Sequence, residues 1–173
     1  MTRTAKGNPE PTDVLYRIKR GLAGYISYLA ACEMNQAFSE YVLYEPILRI
    51  LMARGFEVQC EYPCPGVEHA ARGDKKRIDF YATGHSLELA IEVKWARSAS
   101  PKITDDIAKL QSVLAVQPNV IPLLCIFGRK SHLDNLQLPE HLSERGRARV
   151  ADLGKTRFGC RIFQVRRPKG TRR

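Results

Sequence analysis

Residues 77–95 read RIDFYATGHSLELAIEVKW, and their alternation calls for a β-hairpin. Ile78 to Ala82 forms the outgoing strand, Gly84-His85 sits at the turn, and Leu87 to Trp95 returns. Successive residues of a strand point to opposite sides. On the returning strand Leu89, Ile91, Val93 and Trp95 therefore share one face, and Glu88, Ala90, Glu92 and Lys94 the other. A turn centred on Gly84-His85 sets Asp79 opposite Ala90, on the face of Glu92 and Lys94. Two carboxylates and one ammonium then converge. The plain structural alternative is a solvent-facing sheet surface with Lys94 paired to Glu92 and Arg77 to Asp79.

The elements on either side follow from similar patterns. Phe56 to Tyr62 alternates as a strand, with Phe56, Val58, Cys60 and Tyr62 inward. Before it, Ser39 to Arg54 reads as a helix stopped by Gly55, with Leu43, Ile47, Ile50 and Leu51 as its buried stripe. Glu40 lies on the edge of that stripe, and Glu45 lies about 140° further round the helix. Pro46 either kinks this helix or begins it. In the second case Glu40 falls in the preceding turn and Glu45 becomes the rival carboxylate.

A first helix starts at Thr12 or Asp13 and carries Val14, Leu15, Ile18, Leu22, Ile26 and Leu29 at helical spacing. Residues 1–11 read as a polar, loosely ordered N-terminus. After the hairpin, Ser100-Pro101 caps a helix with Ile103, Ile107, Leu110 and Leu114 on one side. Val120 to Phe127 suits a strand buried on both faces. Residues 131–154 read as helical or irregular, Phe158 to Val165 as a last strand, and 167–173 as a basic tail.

Asp79 followed by Glu92-Val93-Lys94, with Glu40 upstream, resembles the signature of the PD-(D/E)XK phosphodiesterase superfamily, the restriction-endonuclease-like nucleases. Ile78 stands where the name-giving proline would be. The order helix, strand, strand, strand, helix, strand across residues 39–127 resembles the αβββαβ core of those enzymes. The resemblance implies an α/β fold of the α+β kind, a mixed sheet flanked by helices, with an extra N-terminal helix in a single domain over 12–166. It implies a DNA endonuclease hydrolysing phosphodiesters with Mg²⁺, or Mn²⁺ in its place. Catalysis falls to Glu40, Asp79, Glu92 and Lys94. Asp79, Glu92 and the Val93 carbonyl hold the metal, with Glu40 acting through water. The alternative is a domain of this fold that binds nucleic acid or a protein without cutting.

Composition supports a polyanionic partner. The 173 residues hold 28 Lys and Arg against 18 Asp and Glu, a net charge of +10. Nucleic acid is the expected partner, DNA before RNA, with a homodimer or a protein partner open. Lys75, Lys76, Arg77, Arg97 and Lys102 flank the hairpin as phosphate contacts. Lys109 is the weakest of the neighbouring cations, because Asp105 is spaced to pair with it. No stretch is long and apolar enough for a membrane span. Five cysteines, an odd number, fit reduced thiols in the cytoplasm. Cys60, Cys64 and His69 have loose spacing for zinc, and buried thiols are the simpler expectation.

Overall fold

The computed structural model describes residues 11–34, 39–67, 76–151 and 156–167. Lys75, His69, residues 1–10 and the end of the tail from residue 168 lie outside them. The chain forms α1 (Pro11–Ala31), a 3₁₀ turn (Tyr41–Leu43), α2 (Tyr44–Ala53), β1 (Glu57–Pro63), β2 (Arg77–Gly84) and β3 (Leu87–Ala96). There follow α3 (Thr104–Val116), β4 (Ile121–Arg129), α4 (Lys130–Asp134), β5 (Leu142–Glu144), β6 (Arg149–Ala151) and β7 (Phe158–Val165). Pro11 belongs to α1, one residue inside the stretch expected to be loose. No helix among the described residues is long and apolar enough to cross a membrane.

One mixed sheet runs β1-β2-β3-β4-β7-β5, with β6 sharing the β7 edge beside β5. β3 and β4 are parallel; every other pair is antiparallel. Helices cover both faces. On one, α1 and α2 bury Ile18, Leu22, Ile26, Ile47 and Leu51 against Phe80, Ile91, Val93, Cys125 and Phe127. On the other, Ile107, Leu110 and Val113 of α3 pack on Ala90, Leu124, Ile126 and Phe163. The alternation of β3 is thus real, and from Leu89 to Val93 both faces are buried under helices.

Several expectations shift. The hairpin turn is His85-Ser86, not Gly84-His85, and Phe80 pairs with Ile91 and Tyr81 with Ala90. Both turn residues have positive φ, 53° and 60°, as the tightest right-twisting two-residue hairpins require. His85 is held there because its Nε2–H donates to the Arg54 carbonyl at 2.8 Å and its ring packs edge-on against Phe56. The register moves by two residues, which leaves the faces of β3 unchanged. Helix α3 begins at Thr104, not beside Pro101, and its buried stripe includes Asp106 and Val113. Leu114 is only partly buried. Cys60 is exposed, because β1 is an outer strand of the sheet. The region expected to be helical or irregular supplies α4 and the two short strands β5 and β6.

Helix α1 runs through Gly21 and Gly24 without a break. Its N-terminal half is pinned at two points. Arg54 Nη2 donates to Asp13 at 2.7 Å, and the buried Lys19 Nζ donates to the carbonyls of Arg145 and Arg147 at 2.6 and 2.8 Å. Those bonds hold the connection between β5 and β6.

The turn geometry generates a prediction. Ser86 is exposed and left-handed, a conformation that costs a side chain about 1 kcal/mol, and glycine gives back part of that gain through a freer unfolded chain. Ser86→Gly is expected to raise unfolding free energy by about 0.5 kcal/mol and Ser86→Val to lower it by about 1 kcal/mol or more, as read by urea denaturation.

Candidate active site

Strand β2 pairs with β3 only as far as Phe80–Ile91 and then leaves it, still paired to β1 through Ile78–Tyr62 and Arg77–Pro63. The departure coincides with a local distortion. Glu61, opposite Asp79, has φ 52°, and the two are not paired. Ile78 packs on the α3 side of the sheet although Phe80 packs on the α1–α2 side. Asp79 therefore does not simply share the face of Glu92 and Lys94; it stands in the gap that opens beside β3.

That gap would strand backbone donors, and carboxylates fill the vacancy. Val93 N–H donates to Asp79 Oδ2 at 2.7 Å, and Trp95 N–H donates to Glu40 Oε1 at 3.1 Å. Tyr44 of α2 fixes the other oxygen of Asp79 by donating its hydroxyl, and its ring packs on Phe80. Val93 is extended with its N–H toward Asp79, so its carbonyl points to the same side. Glu40 lies in the turn before α2, yet it reaches the gap. Glu45 does not; it pairs along the exposed helix surface with Arg49.

The remaining groups come from α3. Lys109 Nζ donates to Glu92 Oε2 at 2.6 Å and to the Arg77 carbonyl at 3.0 Å, and stands 3.7 Å from Asp106. Its partners are Glu92 and Asp106, not the Asp105 expected from spacing. Lys94 lies between Glu40 at 3.3 Å and Asp106 at 3.2 Å. The expected surface pairs, Lys94 with Glu92 and Arg77 with Asp79, do not form; Arg77 instead donates to the Glu61 carbonyl at 3.4 Å. Tyr44, Asp106 and Lys109 were not expected here. The way α3 packs on the sheet turns Asp106 and Lys109 toward β3.

These side chains line one open cleft of about 660 Å³, which also includes Glu61, Lys76 and Asp105. Its lining holds six carboxylates, Glu40, Glu61, Asp79, Glu92, Asp105 and Asp106, against four cations, Lys76, Arg77, Lys94 and Lys109. In a chain of net charge +10 this is a local acidic excess. Lys76 and Arg77 are thus at the cleft. Arg97 lines a different one, and Lys102 is exposed and is not among the residues lining either.

Burial dominates the ionisation of the carboxylates. Glu92 is 1% exposed, and burial, reinforced by Asp79, pushes it up to about 8 even though Lys109 pulls the other way. Burial also raises Asp79, against the hydrogen bonds from Tyr44 and Val93. Burial opposes the charge on Lys94 and Lys109, but Asp106 with Glu40, and Glu92, outweigh it and raise both.

Glu92 Oε1 is buried with no hydrogen-bond partner, which costs a polar group about 1–3 kcal/mol. Among the described residues, no three His, Cys, Asp or Glu side chains already stand as a set that could hold a metal. The donors facing the gap are carboxylate and carbonyl oxygens, the set a hard divalent cation takes, with waters completing its shell. The partnerless Oε1 of Glu92 belongs to a donor set that fits such an ion.

Comparison with protein-family models, curated proteins and solved structures found no match.

The state of Glu92 sets a pH dependence. Its folded pKa, about 8, lies above the ordinary 4.5. Its contribution to stability is therefore complete below about 4.5 and is lost as pH rises through about 8. Without divalent cations, the unfolding free energy is expected to fall between pH 5 and pH 8.5 by on the order of a few kcal/mol. Glu92→Gln is expected to flatten that slope, and parallel urea titrations of the two proteins across this range measure it.

Proposed function

We propose that the protein is a divalent-metal-dependent phosphodiesterase acting on nucleic acid, a DNA endonuclease of the PD-(D/E)XK kind built on a restriction-endonuclease-like core. The observation that carries this reading is the convergence of Asp79, Glu92, Val93, Lys94 and Glu40 on one cleft where β2 leaves β3. The partnerless buried oxygen of Glu92 lies among the same residues.

In this reading Asp79, Glu92 and the Val93 carbonyl hold Mg²⁺ or Mn²⁺, with Glu40 reaching it through water. The ion, when bound, neutralises phosphate oxygens, lowers the pKa of water and stabilises the departing alkoxide. Tyr44 and the Val93 N–H keep the Asp79 carboxylate in one orientation. Lys94, braced between Glu40 and Asp106, aims its ammonium at the attacking water. Lys109 neutralises one oxygen of Glu92 and leaves the other free. Lys76 and Arg77 at the rim meet the nucleic-acid backbone, through contacts that weaken with salt. We place this work in the cytoplasm, where the five unpaired cysteines would stay reduced.

A non-cleaving binding domain of the same fold is favoured by one feature: each of Glu40, Asp79 and Glu92 already accepts a hydrogen bond from the protein. The two readings differ in what metal does. The purified protein is incubated with linear, nicked, branched and single-stranded DNA and with RNA, with and without Mg²⁺ or Mn²⁺. Cleavage is expected only with metal, and Asp79→Ala and Lys94→Ala are expected to lower it by about a hundredfold or more while retaining the fold. Equal cleavage by wild type and both variants would remove this mechanism.

The helix carboxylates give a separate test. Glu40→Gln is expected to reduce the cleavage rate by about tenfold or more, and Glu45→Gln to leave it within about twofold, as befits an exposed ion pair. Rates under identical metal and substrate conditions decide between them.

A further inference from the structure

A cleft of about 470 Å³ opens between α1 and the β5–β6 connection, with Tyr16, Lys19, Glu144, Arg145, Arg147 and Arg149 in its lining. The pairing with β7 creates it. Arg145 N–H donates to the Ile162 carbonyl at 2.8 Å, and Arg149 pairs with Cys160. Residues 145–149 thus lie opposite 160–162 of β7, and the surplus loops out of the ladder as a wide bulge. Lys19, 3% exposed, fixes the bulge by donating to the carbonyls of Arg145 and Arg147. Gly146 makes the turn between them with φ 70°, and a Cβ there would stand 3.2 Å from the Lys19 Nζ. Arg149 is held in turn by Tyr16, its guanidinium carbon 4.6 Å from the ring centre.

The packing of this bulge uses the backbone carbonyls of Arg145 and Arg147 and leaves their charges unspent. Arg147 and Arg149 are exposed and Arg145 is half-buried. None of the three meets a carboxylate among the described residues, whose ion pairs involve other side chains. The one acid in the lining, Glu144, is already taken, because Arg161 Nε and Nη2 donate to its two oxygens at 2.9 and 2.6 Å. The cleft is therefore strongly positive. Burial holds Lys19 below the ordinary lysine range, and Arg149 adds to the effect. An anion in the cleft relieves both strains. Cations distributed along one bulge suit a chain charged at every nucleotide better than a single small ion.

The register sets this cleft in line with the candidate active site. Arg149 pairs with Cys160, Cys160 with Phe127, and Phe127 with Trp95, whose N–H donates to Glu40. Three strand spacings, about 14 Å, separate the ends of that row, the axial rise of about four base pairs. We propose that the cleft binds the phosphodiester backbone of a nucleic acid whose neighbouring segment lies at the candidate active site, with Arg145, Arg147 and Arg149 as phosphate contacts. The inference rests on the nucleic-acid reading above and adds to it a second surface, away from the acidic cleft.

The test is fluorescence anisotropy of the full chain in EDTA, at several salt concentrations, with a labelled DNA duplex of about 30 base pairs, long enough to span both clefts. Arg145→Ala with Arg147→Ala is expected to weaken binding by about tenfold and to lower the slope of log affinity against log salt by about two. Arg147→Gln alone, at an exposed position, is expected to give about half that change in slope. Arg49→Ala with Lys130→Ala removes equal charge from ion pairs outside this lining and is expected to change affinity less than about twofold. Urea denaturation checks that each variant is folded. Equal losses in the two double variants, or unaltered affinity in Arg145→Ala with Arg147→Ala, would overturn the proposal and leave the catalytic reading intact. Phosphatidylserine vesicles form a parallel arm: vesicle binding lost in that variant with DNA binding unaltered would assign the cleft to a membrane surface and overturn the proposal. Absence of binding by the wild type to DNA and to RNA of equal length would overturn the nucleic-acid reading and this cleft together. Because metal is excluded, failure of cleavage has no bearing on the outcome.

Discussion

The structure turns on what happens to two backbone N–H groups of β3 once β2 has left it. A strand inside a sheet that loses its neighbour halfway along exposes donors that must find acceptors. Here Val93 and Trp95 find them in the side chains of Asp79 and Glu40. One carboxylate comes from the departing strand and the other from the turn before α2. The gap, the layer above it and the acidic side chains are therefore a single arrangement. Closing the β2–β3 ladder would displace Asp79, and moving α2 would remove both Glu40 and the hydroxyl of Tyr44.

The same arrangement explains which parts of the molecule could be read from the chain. The alternation Leu89-Ile91-Val93 against Ala90-Glu92-Lys94 depends only on local period, and it survives intact, with one face under α2 and the other under α3. Placing the turn one residue early slips the pairing by two and does no harm to those faces, because an even slip preserves side-chain direction. The turn itself was disguised: His85 and Ser86 hold left-handed backbone that glycine or asparagine usually signals, and His85 is held by Arg54 and Phe56, distant in sequence. β5 and β6 were invisible for a related reason. Three residues each are too few to show a period, and their pairing is enforced by β7 and by Lys19 of α1.

The cleft was legible in part. Asp79, Glu92 and Lys94 belong to one hairpin and announce themselves by spacing. Asp106 and Lys109 belong to a helix whose inner face was expected to run through Leu114 but instead takes in Asp106 and Val113, a rotation that packing against the sheet decides. The i,i+4 rule pointed to Asp105 for Lys109. Tertiary packing overrode it, because a buried carboxylate at 2.6 Å holds an ammonium far better than an exposed one in water. Arg97 was assigned to the first cleft from its nearness in sequence; the end of the parallel pair carries it to a different one.

Charge balance then gives the site its character. Lys94 and Lys109 do not simply cancel the carboxylates around them. Each ammonium stands between carboxylates that would otherwise repel one another, yet Glu92 still prefers its proton near neutrality. A buried acid in that state is short of positive charge despite an ammonium 2.6 Å away. The shortage is directional: Lys109 occupies Oε2, and Oε1 faces no donor. On the proposed reading, a divalent ion at Oε1 would share Glu92 with Lys109 without having to expel it, keeping the lysine's bond to the Arg77 carbonyl in place. The lysine thereby lowers the cost of gathering acids around Glu92 while leaving one of its oxygens without a donor.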